Sequence, residues 1–361
     1  MKNIVICADG TWNRPEEDLA KDHPTNVLKI ARSIAPVSED GAEQVVFYDW
    51  GLGSYHDGLV AGAFGKGINK NIQDCYRFIV QNYSLGDRLF FFGFSRGAFT
   101  VRSLSGLLNN CGILKKSNAR LIGRAFEIYK DPKIKPDDDF SKNWRNRYSE
   151  RADTGALTRS ERKGYSEDGH PKVHFIGVWD TVGSLGIPLS LLSFFNKEHM
   201  FHDNKIGPNI LFARHALAID ERRDDFKPTI WNQRPGVNIQ QVWFAGCHSD
   251  VGGGLEPDDD GSRLSDYPLK WIAEEASGKG LKIADHLGES FALNARSKIN
   301  ESYEGKWLLA GQHKRSVTSY LRIHESVKLR YTSDSGYRPK KLVSRLGSPP
   351  NWGELVPIDP D

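Results

Sequence analysis

Cysteines are few, long apolar runs are missing and neither sign of charge dominates. Each shortage removes a class of protein. The four cysteines, Cys7, Cys75, Cys111 and Cys247, show no C-x-x-C spacing, so neither a disulfide scaffold nor a paired-thiolate metal site is encoded and buried free thiols are expected. No apolar run reaches the roughly 20 residues that a helix needs to cross a bilayer. The first residues lack the basic start, apolar stretch and cleavage site of a secretory leader. The expected location is therefore the cytoplasm, with export open only to a route that reads no such leader. A balance of 49 basic against 46 acidic side chains leaves a net charge of +3, too even for a general nucleic-acid binder. Neither an internal repeat nor a long low-complexity linker is present, and no cofactor is implied.

What the chain does have is Phe90-Phe91-Phe92-Gly93-Phe94-Ser95-Arg96-Gly97-Ala98. This is G-x-S-x-G, the pattern of a strained strand-to-helix turn that lifts a serine hydroxyl above a parallel sheet. Five residues alone are weak evidence in a chain with 35 glycines. Their setting strengthens them. Asp87 to Phe92 reads as a buried strand after the Leu85-Gly86-Asp87 turn. Ala98, Val101, Leu104, Leu107 and Leu108 then recur at helical spacing until Asn109-Asn110-Cys111-Gly112 ends the run. Gly93 and Gly97 stand where a side chain would collide with the neighbouring element.

A serine nucleophile needs a base, and the base needs an orienting carboxylate. The strand-like stretch Lys172 to Trp179 ends in Asp180, and Gln241 to Cys247 ends in His248. Functional groups in an open parallel sheet gather at the carboxyl ends of the strands, where all three residues fall. The order Ser95, Asp180, His248 is that of an α/β hydrolase. Seen singly, Asp180 also fits a turn or helix cap and His248 a core histidine. Asp250 is the rival acid, although its position two residues after His248 suits a loop cap better.

An oxyanion site needs two backbone donors. The Arg96 amide is one. The strand Asn3 to Ala8 runs into Asp9-Gly10-Thr11-Trp12-Asn13, so the second donor is assigned to Gly10 or Thr11, with Asp9 holding the loop. A competing reading makes Asp9, Asp180, His248 and Asp250 the ligands of a metal-dependent phosphoesterase. It leaves the serine turn unexplained, and no metal is assigned. A non-catalytic interaction module on the same fold is the third reading.

The segments Asp9–Asn13, Gly93–Ala98, Gly177–Gly183 and Trp243–Gly254 together resemble one family. It is the α/β-hydrolase domain of type VI secretion phospholipase effectors and its uncharacterised bacterial relatives. His215–Arg223, Phe226–Thr229, Ile323–Val327 and Tyr337–Pro339 are similar to it as well, so the likeness spans nearly the whole chain. The resemblance implies Ser95 as nucleophile, Asp180 as acid and His248 as base. It further implies hydrolysis of carboxylic esters, with phospholipid or another lipid acyl ester as substrate met at a membrane surface.

Alternating strands and helices predict a mostly parallel, α/β-hydrolase-like sheet flanked by helices. The 361 residues, 39% of them hydrophobic, suit one enlarged domain over 1–361. A helix near Thr25 to Ile34, a strand from Gln44 to Tyr48, a helix from Asn69 to Asn82 and another from Ser265 to Ala276 fill it in. Two insertions, about 115–169 and 187–208, are expected over the active-site edge. The second carries Leu189, Leu191, Leu192, Phe194 and Phe195, which suit either an acyl-pocket wall or a helix packed on the core, followed by Lys197, His199 and His202. The remaining tail is expected to be peripheral, loosening at Pro349-Pro350.

Overall fold

Among the described residues the apolar runs become eight strands, and the runs of helical period become the layers that cover them. The computed structural model describes residues 1–10, 13, 15–18, 21–50, 61–182, 205–305, 308, 311–313, 315–318 and 320–359, without the side chains of 61–66. In chain order the main elements are β1 (Lys2–Ala8), α1 (Asn26–Ser33), β2 (Glu43–Asp49), α2 (Ala61–Asn82), β3 (Arg88–Phe94) and α3 (Arg96–Cys111). Next come α4 (Ile122–Lys130), α5 (Asp139–Tyr148), β4 (Val173–Trp179), β5 (Ile210–Ala218), β6 (Asn238–Phe244) and α6 (His248–Gly252). The chain closes with α7 (Asp266–Ser277), β7 (Arg322–His324), α8 (Glu325–Ser333), α9 (Lys340–Leu346) and β8 (Leu355–Val356).

The strands form one sheet in the order β2-β1-β3-β4-β5-β6-β7-β8, with every neighbouring pair parallel. Both faces are covered, which is why β3 tolerates three consecutive phenylalanines. Ile4, Ile6, Leu89 and Phe91 pack with α2 and α3. Val5, Cys7, Phe90 and Phe92 pack with α1 and α7. Each phenylalanine so buried contributes about 2 kcal/mol. Thr25 starts α1 by accepting the Leu28 amide at 3.1 Å, and Gly112, with φ +69°, ends α3. All four cysteines are free and buried. No helix among the described residues is long and apolar enough to cross a membrane.

Two expectations change. The excursion over 115–169 does not sit over the active-site edge. Helix α3 runs back from the carboxyl edge of the sheet to the amino edge, and β4 starts at that amino edge, so a segment joining them leaves and re-enters there. Accordingly Arg145 in α5 donates to the carbonyls of Asn109 and Asn110 at the end of α3, and Tyr165 accepts the amide of Gly86 just before β3 at 2.8 Å. The tail is not peripheral either. It supplies β7 and β8 and a third apolar cluster, in which Val317, Leu321, Ile323, Val327 and Leu342 cover Leu217 and Trp243. In the second insertion, residues 187–204, including the leucines, phenylalanines, Lys197, His199 and His202, lie outside the described residues. Ile206 just beyond them is buried in the cluster of α2 and α3.

Candidate active site

The strand order reverses between β1 and β3, and in parallel sheets such a reversal opens a crevice at the carboxyl ends. Ser95 stands there. It turns with φ 56° and ψ −118° and is followed at once by α3. Gly97 allows the turn, since a Cβ there would lie 2.0 Å from the Ala8 carbonyl oxygen, and one on Gly93 would lie 2.6 Å from that of Gly97. Gly10 lies alongside: a Cβ on it would sit 3.3 Å from that of Ser95. The Ser95 amide donates to Trp179 at 3.1 Å, pinning the elbow to the end of β4. Arg96 opens α3, so its amide stands at the positive end of a 16-residue helix, where the first N–H groups have no partner within the helix. Burial lowers the Arg96 guanidinium to about 10.

Asp180 follows Trp179 with φ +40°. Among the described residues, Ser95 and Asp180 are the two non-glycine positions with positive φ. Such strain persists only where surrounding contacts enforce it. Asp180 is fully buried and accepts the Ala218 amide at 3.0 Å and a two-armed bond from Arg315 at 2.5 and 2.8 Å. Burial alone would raise its carboxyl group. The Arg315 guanidinium and the bonds from His248 and Arg315 reverse this and hold it far below the usual carboxylate range.

His248 begins α6, and its Nδ1 lies 2.6 Å from Asp180 Oδ2. Burial pushes the imidazole below its ordinary value although Asp180 pulls the other way. Its ring is held between Phe94, with centroids 4.6 Å apart, and Phe226, edge-on at 4.9 Å. Gly252 makes the first contact possible, because a Cβ there would fall 2.0 Å from the Phe94 ring. The Arg223 guanidinium lies 3.5 Å over Phe226 and pairs with buried Glu221 at 2.9 Å. Glu221 in turn accepts the His248 amide at 3.2 Å. Nε2 of His248 and Oγ of Ser95 share no hydrogen bond among the described residues. Next to Asp180, the Thr181 amide donates to His215 Nε2 at 3.1 Å, and burial lowers that imidazole to about 3.

The other sequence candidates divide. Asp9 accepts from Gly10 N at 2.7 Å, Thr25 Oγ1 at 2.5 Å, Tyr48 OH at 2.9 Å and Asn13 Nδ2 at 3.1 Å. It thus ties the loop after β1, and burial raises its carboxyl to about 6 against those bonds. The Gly10 amide is thereby consumed by Asp9 and is not free to meet an oxyanion, which leaves Thr11, outside the described residues. Asp250 accepts from Cys247 N at 2.9 Å and from both nitrogens of Asn300 at 3.1 and 2.7 Å, so it caps α6 instead of reaching His248. The metal-ligand set does not assemble: N–H and O–H donors occupy the oxygens of Asp9, Asp180 and Asp250, and no cluster of three His, Cys, Asp or Glu side chains suits a metal among the described residues.

Arg315, Glu221, Arg223, Phe226 and His215 were absent from the candidates drawn from spacing. Four of them lie in segments noticed only for their family likeness. For Arg315 there was no signal at all.

A family model described as "T6SS, Phospholipase effector Tle1-like, catalytic domain" matches residues 2–275. Among curated proteins, the uncharacterised protein YEL023C of Saccharomyces cerevisiae is 29% identical over 252 residues, covering 65% of this chain and 33% of that protein. An uncharacterised protein from Pseudomonas aeruginosa aligns in structure with TM-score 0.45 and 15% identity, over 81% of this chain and 47% of its own. A Tle1 effector bound to the VgrG spike of the type 6 secretion system aligns with TM-score 0.41 and 18% identity, over 73% and 52%. The chain thus spans about a third of the yeast relative and about half of each solved chain.

Proposed function

The chain belongs to the Tle1-like catalytic-domain family of type VI secretion phospholipase effectors, and from that premise we propose that it is a serine hydrolase of lipid acyl esters using Ser95, His248 and Asp180. The observation that carries the reading is the 2.6 Å contact between Asp180 Oδ2 and His248 Nδ1, made by a strained carboxylate beside a strained serine elbow. With Nδ1–H donated to Asp180, Nε2 keeps its lone pair. It takes the Ser95 proton as Oγ attacks the ester carbonyl, in a hydrogen bond that forms once substrate is seated. The Arg96 amide and that of Thr11 stabilise the oxyanion, with Asp9 fixing the loop and Gly93 and Gly97 permitting the turn. His248 then protonates the leaving alkoxide, and a water that it deprotonates releases the acid. The substrate is a phospholipid or a related acyl ester, reached by surface contact with a membrane.

Labelling by a fluorophosphonate, together with release of fatty acid from mixed phospholipid vesicles followed by mass spectrometry, tests this. Ser95→Ala is expected to abolish both. Full labelling of that variant would place the nucleophile elsewhere.

A further inference from the structure

We propose that Arg315 is a positioning residue that keeps the Asp180–His248 pair from taking up a proton near neutral pH, so that His248 waits as the Nδ1–H tautomer with Nε2 bare. The inference rests on the reading of His248 as general base. Asp180 is 0% exposed and His248 is 4% exposed. A buried carboxylate with only an imidazole for company holds a proton readily, either on itself or as an imidazolium partner, and a doubly protonated imidazole is no base.

Arg315 removes that tendency. Its side chain is itself buried, at 2% exposure, and its two terminal nitrogens are wholly committed. One donates to Asp180 Oδ1 and to the Ala218 carbonyl at 2.9 Å. The other donates to Asp180 Oδ2 and to the Phe226 carbonyl at 2.6 Å. A guanidinium stays charged at any working pH, so the carboxylate is neutralised without a labile proton. The fork spans both oxygens of Asp180, of which Oδ1 also takes the Ala218 amide and Oδ2 is shared with His248, and the bond to the Phe226 carbonyl ties the acid to the residue whose ring packs on the imidazole.

The other charged groups acting on His248 are Glu221 and Arg223 in the loop after β5, and these pair with each other. Asp250, in the imidazole's own helix, is turned to Asn300. His215 on β5 has its Nε2 occupied by the Thr181 amide. Among the described residues, Arg315 is therefore the cation in direct contact with the pair. It also lies beyond residues 2–275 covered by the family model, so a device outside the matched segment sets the protonation of a site inside it.

Two-bond 1H–15N NMR of the imidazoles in the full chain, from pH 5 to 9, tests this, with His248 assigned by loss of its signals in His248→Gln. The wild-type ring is expected to stay neutral and protonated at Nδ1 at pH 7. A doubly protonated His248 there would overturn the inference. Arg315→Gln is expected to raise the pH at which the pair takes up its proton by about one to three units, and the acid limb of fluorophosphonate labelling moves with it. Unchanged titration in a folded Arg315→Gln would overturn it equally. Arg315→Lys restores a cation without the fork, so its titration should stay within about half a unit of the wild type, while labelling slows. A shift of a full unit or more in that variant would also count against the inference. Should Arg315→Gln not fold, the wild-type and Arg315→Lys titrations decide between the same outcomes. The NMR readout needs no substrate. A wild type that titrates as stated but cleaves no ester sinks the proposed function alone, and ester cleavage with a charged His248 at pH 7 sinks this inference alone.

Discussion

Asp180 answers to two ionisable partners, His248 and Arg315, and its replacement separates them. Asp180→Asn is expected to lower kcat by about 10⁴, because an amide no longer selects the Nδ1–H tautomer. Strand ends alone suggest that and suggest an intact fold. The fork from Arg315 adds a second cost: its guanidinium, with 1% of its side chain exposed, would lose its counter-charge, which costs about 3–5 kcal/mol. Thermal melting in parallel with single-turnover labelling reads both, and an unchanged melting temperature would show that Arg315 finds another acceptor. The shared rim of Ser95, Asp180 and His248 was legible because each follows an apolar run, and the carboxyl ends of parallel strands lie on one edge. Arg315 was not, since 135 residues separate it from Asp180 and no periodicity marks an arginine that folds inward. Gly10 was misjudged for a similar reason: an amide's acceptor depends on where a neighbouring carboxylate turns.

The β1, β3 and α3 elements meet so closely that the elbow is a packing problem as much as a chemical one. Gly97→Ala puts a methyl against main-chain atoms of Ala8, with no flexible side chain to yield. It is expected to cost roughly 1–3 kcal/mol or more, and denaturant melts compared with those of Gly123→Ala, where a Cβ meets nothing within 4 Å, check it. Equal losses at both positions would remove the steric account of the motif. Alternating apolar runs made these elements and their parallel arrangement readable. The edge reached by 115–169 was not legible, because mixed charge marks a solvated surface and not the points where a segment leaves and re-enters the sheet. Both lie at the amino edge, and charge has no say in that.

Over the molecule as a whole, the matched segment and the folding unit differ in extent. The family model ends at residue 275, yet β7, β8 and the two helices between them bury Trp243 and Leu217 on β6 and β5. A chain cut after residue 275 is expected to be insoluble or molten, with weak near-ultraviolet circular dichroism. A cooperative melt from that fragment would show that the tail is dispensable. The tail was undervalued because its two strands have only three and two residues, too short for any pattern of alternation to register. That brevity has an outcome of its own. Among the described residues, a sheet margin of two residues offers an approaching chain almost no free amides or carbonyls to copy, which disfavours edge-to-edge pairing of molecules at that strand.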